Sequence, residues 1–449
     1  MTGHNHKLQR QLGLFSVTNI VIANIIGAGI FTTTGYVLGF LGDPVVMLVL
    51  WILGGLISLC GALAFGELGA AFPDAGGEYV FISKLFNPLL GFLSGWLSLI
   101  VGFSAPIAAS AIGFSKYLCW AFPDIQSWLW LHGVISVESF NRILAILVIL
   151  VFSLIHAKGL AIGAKVQNGL TLIKILLVVG LIVAGFSVGE GSLKNLHVDR
   201  SFDFGFENWK AIGLSLMFIM FAYSGWNSAT YIGSEIRSPQ KVIPRSLLIS
   251  TLTVIVLYVL LNLFFVYAVP PGEMRNEPEV AGLAAGFAFG KVAEKVISIL
   301  ISFALFSSLS AFIILGPRVY YKMAQDGLFF KSIARIDPRK KVPVNAIFLQ
   351  AIIAIILVLS GTFEQILTYM GFSLGIFPVL AVAGAIRLRR QGKSVIRLPG
   401  YPFVHIIFIV TGVGMLVLTY FERPVESTVA LFTALSGIPV YYWFKYKKK

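Results

Sequence analysis

The stretch NIVIANIIGAGIFTTTGYVLGF, residues Asn19 to Phe40, is apolar enough to cross a membrane, yet four of its residues are glycine. Two of these, Gly27 and Gly29, lie near its centre. Within hydrocarbon, irregular backbone is tolerated only where it lines a cavity inside the protein. A break there would expose the N–H groups of a new helix end, which suit a carboxylate. Taken alone, the stretch leaves two interpretations open: close helix packing through small residues, or a spanning helix broken around a binding site.

The composition of the whole chain indicates a membrane protein. Of 449 residues, 57% are hydrophobic and 12% are charged, and the mean hydropathy is +0.88. Soluble domains carry about 25% charged residues, so we predict that much of this surface lies in lipid. A spanning helix needs about 20 apolar residues. We predict an all-α membrane protein with about twelve transmembrane helices, at approximately 14–40, 44–70, 88–118, 140–157, 165–188, 210–234, 244–269, 291–322, 344–360, 366–388, 402–420 and 425–444.

The basic residues predict an orientation in the membrane. The net charge is +14, and with a cytoplasmic N-terminus roughly 24 of the 34 lysines and arginines would face inward, as the positive-inside rule requires. We therefore predict a multi-pass protein of the cell inner membrane with both termini in the cytoplasm. The basic clusters are expected to contact anionic lipids. Because the charges follow the predicted loops, no nucleic-acid partner is expected.

A second interruption occurs in the sixth predicted helix, where YSGWN puts glycine and polar residues at mid-depth. The first and sixth helices each open a set of five, and these sets cover 14–188 and 210–388. Two interrupted helices at corresponding positions indicate an inverted-repeat transporter with its site at the midplane. The other predicted segments are a cytoplasmic N-terminus (1–13), two additional C-terminal helices (402–444) and a basic cytoplasmic tail (445–449).

Several motifs resemble the amino acid–polyamine–organocation superfamily. They are NIIGAGIF, GELGAAFPDAGGEYVF and LGFLSGW. FAYSGWNSATYIGSEIRSPQKVIPRSL and AKVQNGLTLIKILLVVG resemble the sixth and fifth helices of its bacterial L-type amino acid transporter branch. The resemblance covers about residues 8 to 390. It implies a LeuT-type 5+5 inverted repeat with interrupted helices 1 and 6, and passage of one α-amino acid by alternating access.

The resemblance also implies a substrate site made mostly of backbone groups. The N–H groups that would hold the carboxylate are those of Gly27, Ala28, Gly29 and Ile30. The carbonyls that would take the ammonium lie near Ile25 and at Phe221, Ala222 and Ser224. Phe221 matches the family's aromatic gate, while Trp226 and Asn227 match residues that line or brace the unwound segment. Helix ends can serve both poles of a zwitterion without a charged side chain.

The side chain of Ser224 bears on substrate choice. Among the relatives, aspartate at this position accompanies cationic substrates, and glycine accompanies bulky neutral ones. Serine offers no charge and takes up some of the room that glycine would leave. The resemblance therefore implies small to medium neutral amino acids, although the preferred one is not evident from the sequence.

Lys174 lies well inside the fifth predicted helix, in LTLIKILLV. A charged side chain at such depth predicts a functional site, with snorkelling to the interface as the alternative. In sodium-independent relatives, a lysine here occupies the place where sodium-coupled members bind a cation. Its ammonium would bond carbonyls near Ala23 and Ile26. It would also bond a hydroxyl of the eighth helix, where the candidates are Ser307, Ser308 and Ser310.

These features predict a sodium-independent secondary transporter that exchanges amino acids. The alternative is proton-coupled symport, in which Lys174 would be the coupling residue. An amino acid-sensing receptor and a channel are the other classes considered. No nucleophile–base or metal constellation is evident, so we expect no enzyme, metal or cofactor. Cys119 precedes the loop in which relatives carry a bridging cysteine, so we expect no disulfide-linked accessory subunit. Glu67 and Glu78 are expected to shape a gate or cap, and Glu235 and Arg237 to pair with the inner loops.

Overall fold

The computed structural model describes residues 8, 10–122, 135–197, 205–360 and 363–447. Within its helices, the side chains of residues 160, 161, 164, 363–365, 367 and 368 lie outside this description. Most of the predicted N-terminal segment 1–13 and the last two residues of the predicted tail 445–449 are also outside the described residues.

The described chain is almost entirely helical. The helices are α1 Leu14–Ile25, α2 Ala28–Leu41, α3 Pro44–Ala71, α4 Glu78–Leu85, α5 Pro88–Leu97, α6 Ser104–Ala121, α7 Val137–Ala157, α8 Leu160–Ser187, α9 Phe206–Ala222, α10 Pro239–Ala268, α11 Pro271–Met274, α12 Val280–Phe289, α13 Lys291–Gln325, α14 Val344–Ser360, α15 Phe363–Arg390, α16 Phe403–Glu422, α17 Pro424–Leu435 and α18 Gly437–Lys447. A π-helical segment, Ser98–Gly102, joins α5 to α6, and 3₁₀ turns occur at Leu193–Leu196, Ser228–Tyr231, Gly233–Glu235 and Lys331–Ala334.

The turn between α2 and α3 illustrates how the local sequence sets these boundaries. Gly42 ends α2 with φ +69°, a left-handed conformation that glycine adopts without steric cost. The carboxylate of Asp43 then accepts hydrogen bonds from the N–H groups of Val45 at 2.8 Å and Val46 at 3.0 Å. Pro44 occupies the first helical position, where a missing N–H has no consequence.

Within the described residues, nine helical segments are long and apolar enough to cross a membrane. Three of the twelve predicted windows do not meet that measure, because their helices are short or divided. The window at 210–234 holds α9, which ends at Ala222; α14 has 17 residues; and the last window is divided between α17 and α18. The count of about twelve therefore stays a prediction.

The distribution of polarity on α8 is the reverse of that on a helix of a water-soluble fold. On α8, Gln167, Thr171 and Lys174 are fully buried. The neighbouring side chains of Leu172 and Leu176 are 58% and 61% exposed. The polar face of this helix therefore points into the protein while its apolar face points outward, as a lipid environment requires.

The packing brings the two interrupted regions together in the interior. Helix α2 packs against α9, and α1 packs against α10. Helix α13 also contacts α1, while α6 packs along the length of α13. The break between α1 and α2 is thus surrounded by other helices, and its backbone faces protein groups.

Candidate functional site

The first break separates α1 from α2 at two residues. Helix α1 ends at Ile25, and Ile26 and Gly27 have extended ψ angles of 86° and −159°. Helix α2 begins at Ala28, and no side chain caps its N-terminus. The first N–H groups of a helix have no partner within it and carry partial positive charge. This helix end can therefore donate hydrogen bonds to an anionic group.

The second break follows α9, which ends at Ala222. The next residues form turns rather than helix, and Gly225 has φ +99°, a conformation that L side chains rarely adopt. Ser224 donates its N–H to the carbonyl of Phe221 at 2.9 Å. A carbonyl oxygen has two lone pairs, so each carbonyl of this segment can accept a further hydrogen bond.

The two breaks lie directly against each other. A Cβ atom added at Gly29 would lie 2.6 Å from Cα of Ala222. A Cβ atom at Gly225 would lie 2.9 Å from the backbone carbonyl carbon of Asn24. Both distances are too short for any side chain, so glycine at these two positions allows the backbones to approach. Close approach and helix interruption therefore occur together here.

Two spaces that share four lining residues adjoin the breaks. The smaller, of about 260 Å³ including space open to solvent, is lined by Ile25, Gly27, Ala28, Gly29, Phe221, Ala222 and Ser224, together with Asn24, Pro106, Ala109, Ser110 and Phe312. The larger, of about 1100 Å³ including space open to solvent, reaches Trp226, Asn227 and Glu78. Asn24, Phe221, Ser224 and Phe312 line both spaces.

Nine of the ten predicted substrate residues line one or both of these spaces. The tenth is Ile30, which is not among the described residues that line either space and whose side chain is fully buried. Its N–H nevertheless belongs to the first turn of α2 and points in the same direction as those of Ala28 and Gly29. The structure therefore brings the predicted set together, while its role in binding stays a prediction.

Tyr258 belongs to this site, and the sequence reasoning missed it. Its hydroxyl donates to the carbonyl of Ile25 at 2.8 Å and lies 3.1 Å from that of Ala222. One phenolic proton serves one carbonyl at a time, so this hydroxyl bridges the two breaks. Asn262, one turn further along α10, accepts a hydrogen bond from Thr34 at 2.7 Å. The sequence LYVLLN, residues 257–262, could have indicated these two residues, because it places two polar side chains in an otherwise apolar segment.

Lys174 contacts the first break directly. Its Nζ lies 3.3 Å from the carbonyl oxygen of Ala23 and 2.6 Å from Oγ of Ser308, and it also donates to the carbonyl of Ile26. Ser308 in turn donates to the same Ile26 carbonyl at 2.8 Å. An ammonium group has three protons, and here three oxygens accept them. A buried cation is tolerated when its donors are satisfied in this way.

The other two candidate serines have different partners. The hydroxyl of Ser307 lies 3.3 Å from Nε2 of Gln167 and 3.3 Å from Oγ1 of Thr171. Ser310 lies 2.8 Å from Nε2 of His156. Of the three serines, Ser308 is therefore the one that meets the lysine. Its part in coupling is untested by this geometry.

Glu78 stands at the second break. It is the first residue of α4, outside the spanning helices, and its Oε1 accepts a hydrogen bond from Nδ2 of Asn227 at 2.7 Å. The hydroxyl of Tyr231 lies 3.2 Å from the same nitrogen. Within the described residues, no lysine or arginine forms an ion pair with Glu78. Burial raises the pKa of this carboxyl to about 7, although the hydrogen bonds from Tyr231 and Asn227 oppose the shift.

Two other buried carboxylates have strong partners. Glu67 pairs with Arg389 at 2.7 Å and accepts a further bond from the N–H of Leu398 at 2.8 Å. Glu235 pairs with Arg318 of α13 at 3.0 Å, so its partner is a helix rather than the inner loops expected from the sequence. Arg237 instead donates its backbone N–H to Leu12 at 2.9 Å.

Comparison with known proteins gives a consistent result. The family model described as amino acid permease matches residues 12–444. The chain is 28% identical to the serine/threonine exchanger SteT of Bacillus subtilis (strain 168), over 100% of both chains. It is also 28% identical to the mouse b(0,+)-type amino acid transporter 1, covering 98% of this chain and 89% of that protein. The human large neutral amino acids transporter small subunit 2 is also 28% identical, and the match covers 97% of this chain and 80% of that protein.

Proposed function

The chain belongs to the amino acid permease family, and on that premise we propose that it is a sodium-independent transporter that exchanges small to medium neutral α-amino acids. The family and the relatives are transporters rather than enzymes, and the apolar helices mark a multi-pass membrane protein. The proposal concerns the substrate size, the independence from sodium and the exchange.

The observation that carries the proposal is the contact between the two helix breaks. An α-amino acid needs hydrogen-bond donors at its carboxylate and acceptors at its ammonium. The uncapped start of α2 supplies N–H donors, and the carbonyls at the end of α9 supply acceptors. Both border the space of about 260 Å³. A charged side chain is not needed for either pole, which leaves the rest of the cavity to select the substrate side chain.

Independence from sodium is supported by the surroundings of Lys174. Three oxygens that could coordinate a cation, those of Ala23, Ile26 and Ser308, already accept hydrogen bonds from its ammonium. A sodium ion at the same place would have to displace Nζ of Lys174 from these oxygens, and it would be repelled by the protonated amine.

A proton-coupled symporter is the second candidate, and a different observation favours it. Glu78 borders the larger space without a cationic partner among the described residues, and its pKa is raised to about 7 by burial. A group that gains and releases a proton near neutral pH can couple proton movement to a change in conformation.

We further propose a LeuT-type fold of twelve spanning helices, in which two five-helix repeats, 14–188 and 210–388, are inverted relative to each other. In support, each repeat opens with an interrupted segment: α1 and α2 in one, α9 and the turns after it in the other. The proposed location is the cell inner membrane, with cytoplasmic termini and anionic-lipid contacts. We propose no disulfide-linked subunit. In support, Sγ of Cys119 already has a partner within the chain, since it lies 3.0 Å from Oδ1 of Asn141.

The experiment is uptake of labelled amino acids into liposomes that contain the purified protein, in sodium-free buffer at equal pH. We expect accumulation of labelled serine or alanine only when the vesicles are preloaded with unlabelled neutral amino acids. Arginine should not enter. Uptake into empty vesicles that rises with an inward proton gradient would favour symport, and a requirement for sodium would contradict the proposal.

A further inference from the structure

The side-chain oxygen of Asn24, a residue that lines both spaces, has no hydrogen-bond partner among the described residues. Asn24 lies in the last turn of α1, is 3% exposed, and lines both spaces. Within the described residues, its Oδ1 accepts no hydrogen bond. A buried polar atom left without a partner costs about 1–3 kcal/mol. Such an atom calls for an explanation, and a ligand that supplies the missing donor is one.

The position of Asn24 separates it from the groups that would serve the substrate backbone. The N–H groups of α2 and the carbonyls of the second break would take the carboxylate and the ammonium. Four side chains line both spaces, and of these Phe221 and Phe312 are apolar. Asn24 and Ser224 are the two polar ones. A substrate whose poles lie in the small space would direct its side chain past these residues.

We propose that Asn24 is a specificity-determining residue that hydrogen-bonds a hydroxyl group on the side chain of the substrate. The preferred substrates are then hydroxy amino acids, serine and threonine among the standard ones. The inference rests on the proposed function and narrows it, because small neutral amino acids without a hydroxyl become poorer substrates.

The chemistry of the lining selects a hydroxyl over other groups. An apolar side chain would leave the Asn24 amide without a partner, which is the penalty described above. An anionic side chain would find no counter-charge in either space, since no lysine or arginine is among the described residues that line them. A cationic side chain would find none in the smaller space, and the one carboxyl of the larger space, Glu78, already accepts a hydrogen bond from Asn227. A hydroxyl both donates and accepts, so it can pair with an amide and with the nearby hydroxyl of Ser224.

Asn24 also braces the second break, so a test must separate bracing from recognition. A Cβ atom at Gly225 would lie 2.5 Å from Nδ2 of Asn24, which places the amide tightly against that segment. Loss of bracing would slow the transport of every substrate equally. Loss of recognition would change the ratio of serine to alanine, which differ only by the hydroxyl. The ratio is therefore the informative measurement.

The test is competition for sodium-free exchange in liposomes by serine against alanine, and by threonine against valine. In the unaltered protein we expect each hydroxylated member to compete about tenfold better, the effect of one hydrogen bond. Asn24→Leu, of similar size, should bring both ratios close to one, and Asn24→Thr should retain part of the preference. The control is Ser215→Ala, which removes a buried, unpaired hydroxyl outside both spaces and should leave the ratios unchanged.

Each result has a definite meaning. Ratios near one in the unaltered protein would overturn the inference without any variant. A preference that persists in Asn24→Leu would overturn the assignment to Asn24, and Asn24→Ala, which also lacks a hydrogen-bonding group, provides the same comparison if the leucine variant does not fold. Exchange of neutral amino acids without a hydroxyl preference would refute the inference alone. No exchange of any amino acid would refute the proposed function, and the inference with it.

Discussion

The two helix breaks are built from the same elements but are stabilised differently. At the first, the ammonium of Lys174 meets three oxygen acceptors, and its hydrogen-bonding capacity is filled. At the second, the carboxyl of Glu78 meets one amide and one phenol, and no cationic partner is present among the described residues. The first break is therefore supported by a filled set of hydrogen bonds around one amine. The second contains a carboxyl without a counter-charge, whose pKa is raised to about 7 by burial.

The close contact between the two breaks predicts the largest effect of a substitution on amino acid binding. Gly29→Ala should weaken amino acid binding by about a hundredfold, since its Cβ would meet the backbone of Ala222 at 2.6 Å and overpacking costs about 1–3 kcal/mol. Gly27→Ala is the matched control, because its nearest neighbour, Oγ of Ser308, would lie at 3.7 Å. Binding affinities by calorimetry would check the pair. Equal effects at the two glycines would show that the close approach is unimportant.

Removal of the Lys174 amine should have the next largest effect on transport. Lys174→Met should slow exchange at least about tenfold, because the carbonyls of Ala23 and Ile26 lose their ammonium donor. Lys165→Met, on an exposed position of the same helix, should leave the rate unchanged. Initial rates in preloaded liposomes measure both. A normal rate for Lys174→Met would mean that the lysine does not support the first break.

Two neighbouring serines of α13 test the lysine contact at the first break more specifically. Ser308→Ala should slow exchange a few-fold, since it removes one acceptor of the ammonium and one donor to Ile26. Ser307→Ala, one residue earlier, should have little effect, because that hydroxyl contacts Gln167 and Thr171 instead. The ratio of the two exchange rates is the measurement. If the two variants slowed exchange equally, the lysine contact would not account for the effect.

The smallest effect concerns the pH response of the second break. The pKa of Glu78 is raised from 4.5 to about 7, so the folded protein favours the protonated form, and this contribution to stability is lost as the pH rises towards 7. Glu78→Gln mimics the neutral carboxyl and keeps an acceptor for Asn227. The variant should melt a few degrees above the unaltered protein at pH 8. At pH 5, close to the unfolded pKa of 4.5, the difference in melting temperature should be much smaller.

Melting curves in detergent at both pH values test this expectation, with Asp74→Asn as a control on an exposed carboxylate of the same loop. A melting difference that did not depend on pH would show that Glu78 does not titrate in this range. The groups that face it are Asn227 and Tyr231, and neither becomes charged between pH 5 and 8.

Much of this arrangement is predictable from the sequence. GAGIF and YSGWN mark both breaks because glycine in an apolar window has few explanations, and a lysine nine residues inside a helix is conspicuous. The residues that contact these breaks from other helices are harder to predict from the sequence. Tyr258 and Asn24 are single polar residues in apolar segments. Only the three-dimensional packing shows that Tyr258 contacts both breaks and that Asn24 lines the two spaces. The choice of Ser308 over Ser307 depends on a rotation of about 100° per residue, which sequence alone does not fix.

The central claim is that both poles of a free amino acid are held by the two breaks without sodium. The most direct measurement is calorimetric binding, in sodium-free buffer, of L-serine, its methyl ester and N-acetyl-L-serine. The ester lacks the carboxylate, and the acetylated compound lacks the ammonium. We predict that L-serine binds and that each derivative binds at least about a hundredfold more weakly, since each leaves one helix end unpaired. Equal binding of either derivative, or binding of L-serine only when sodium is added, would contradict the account.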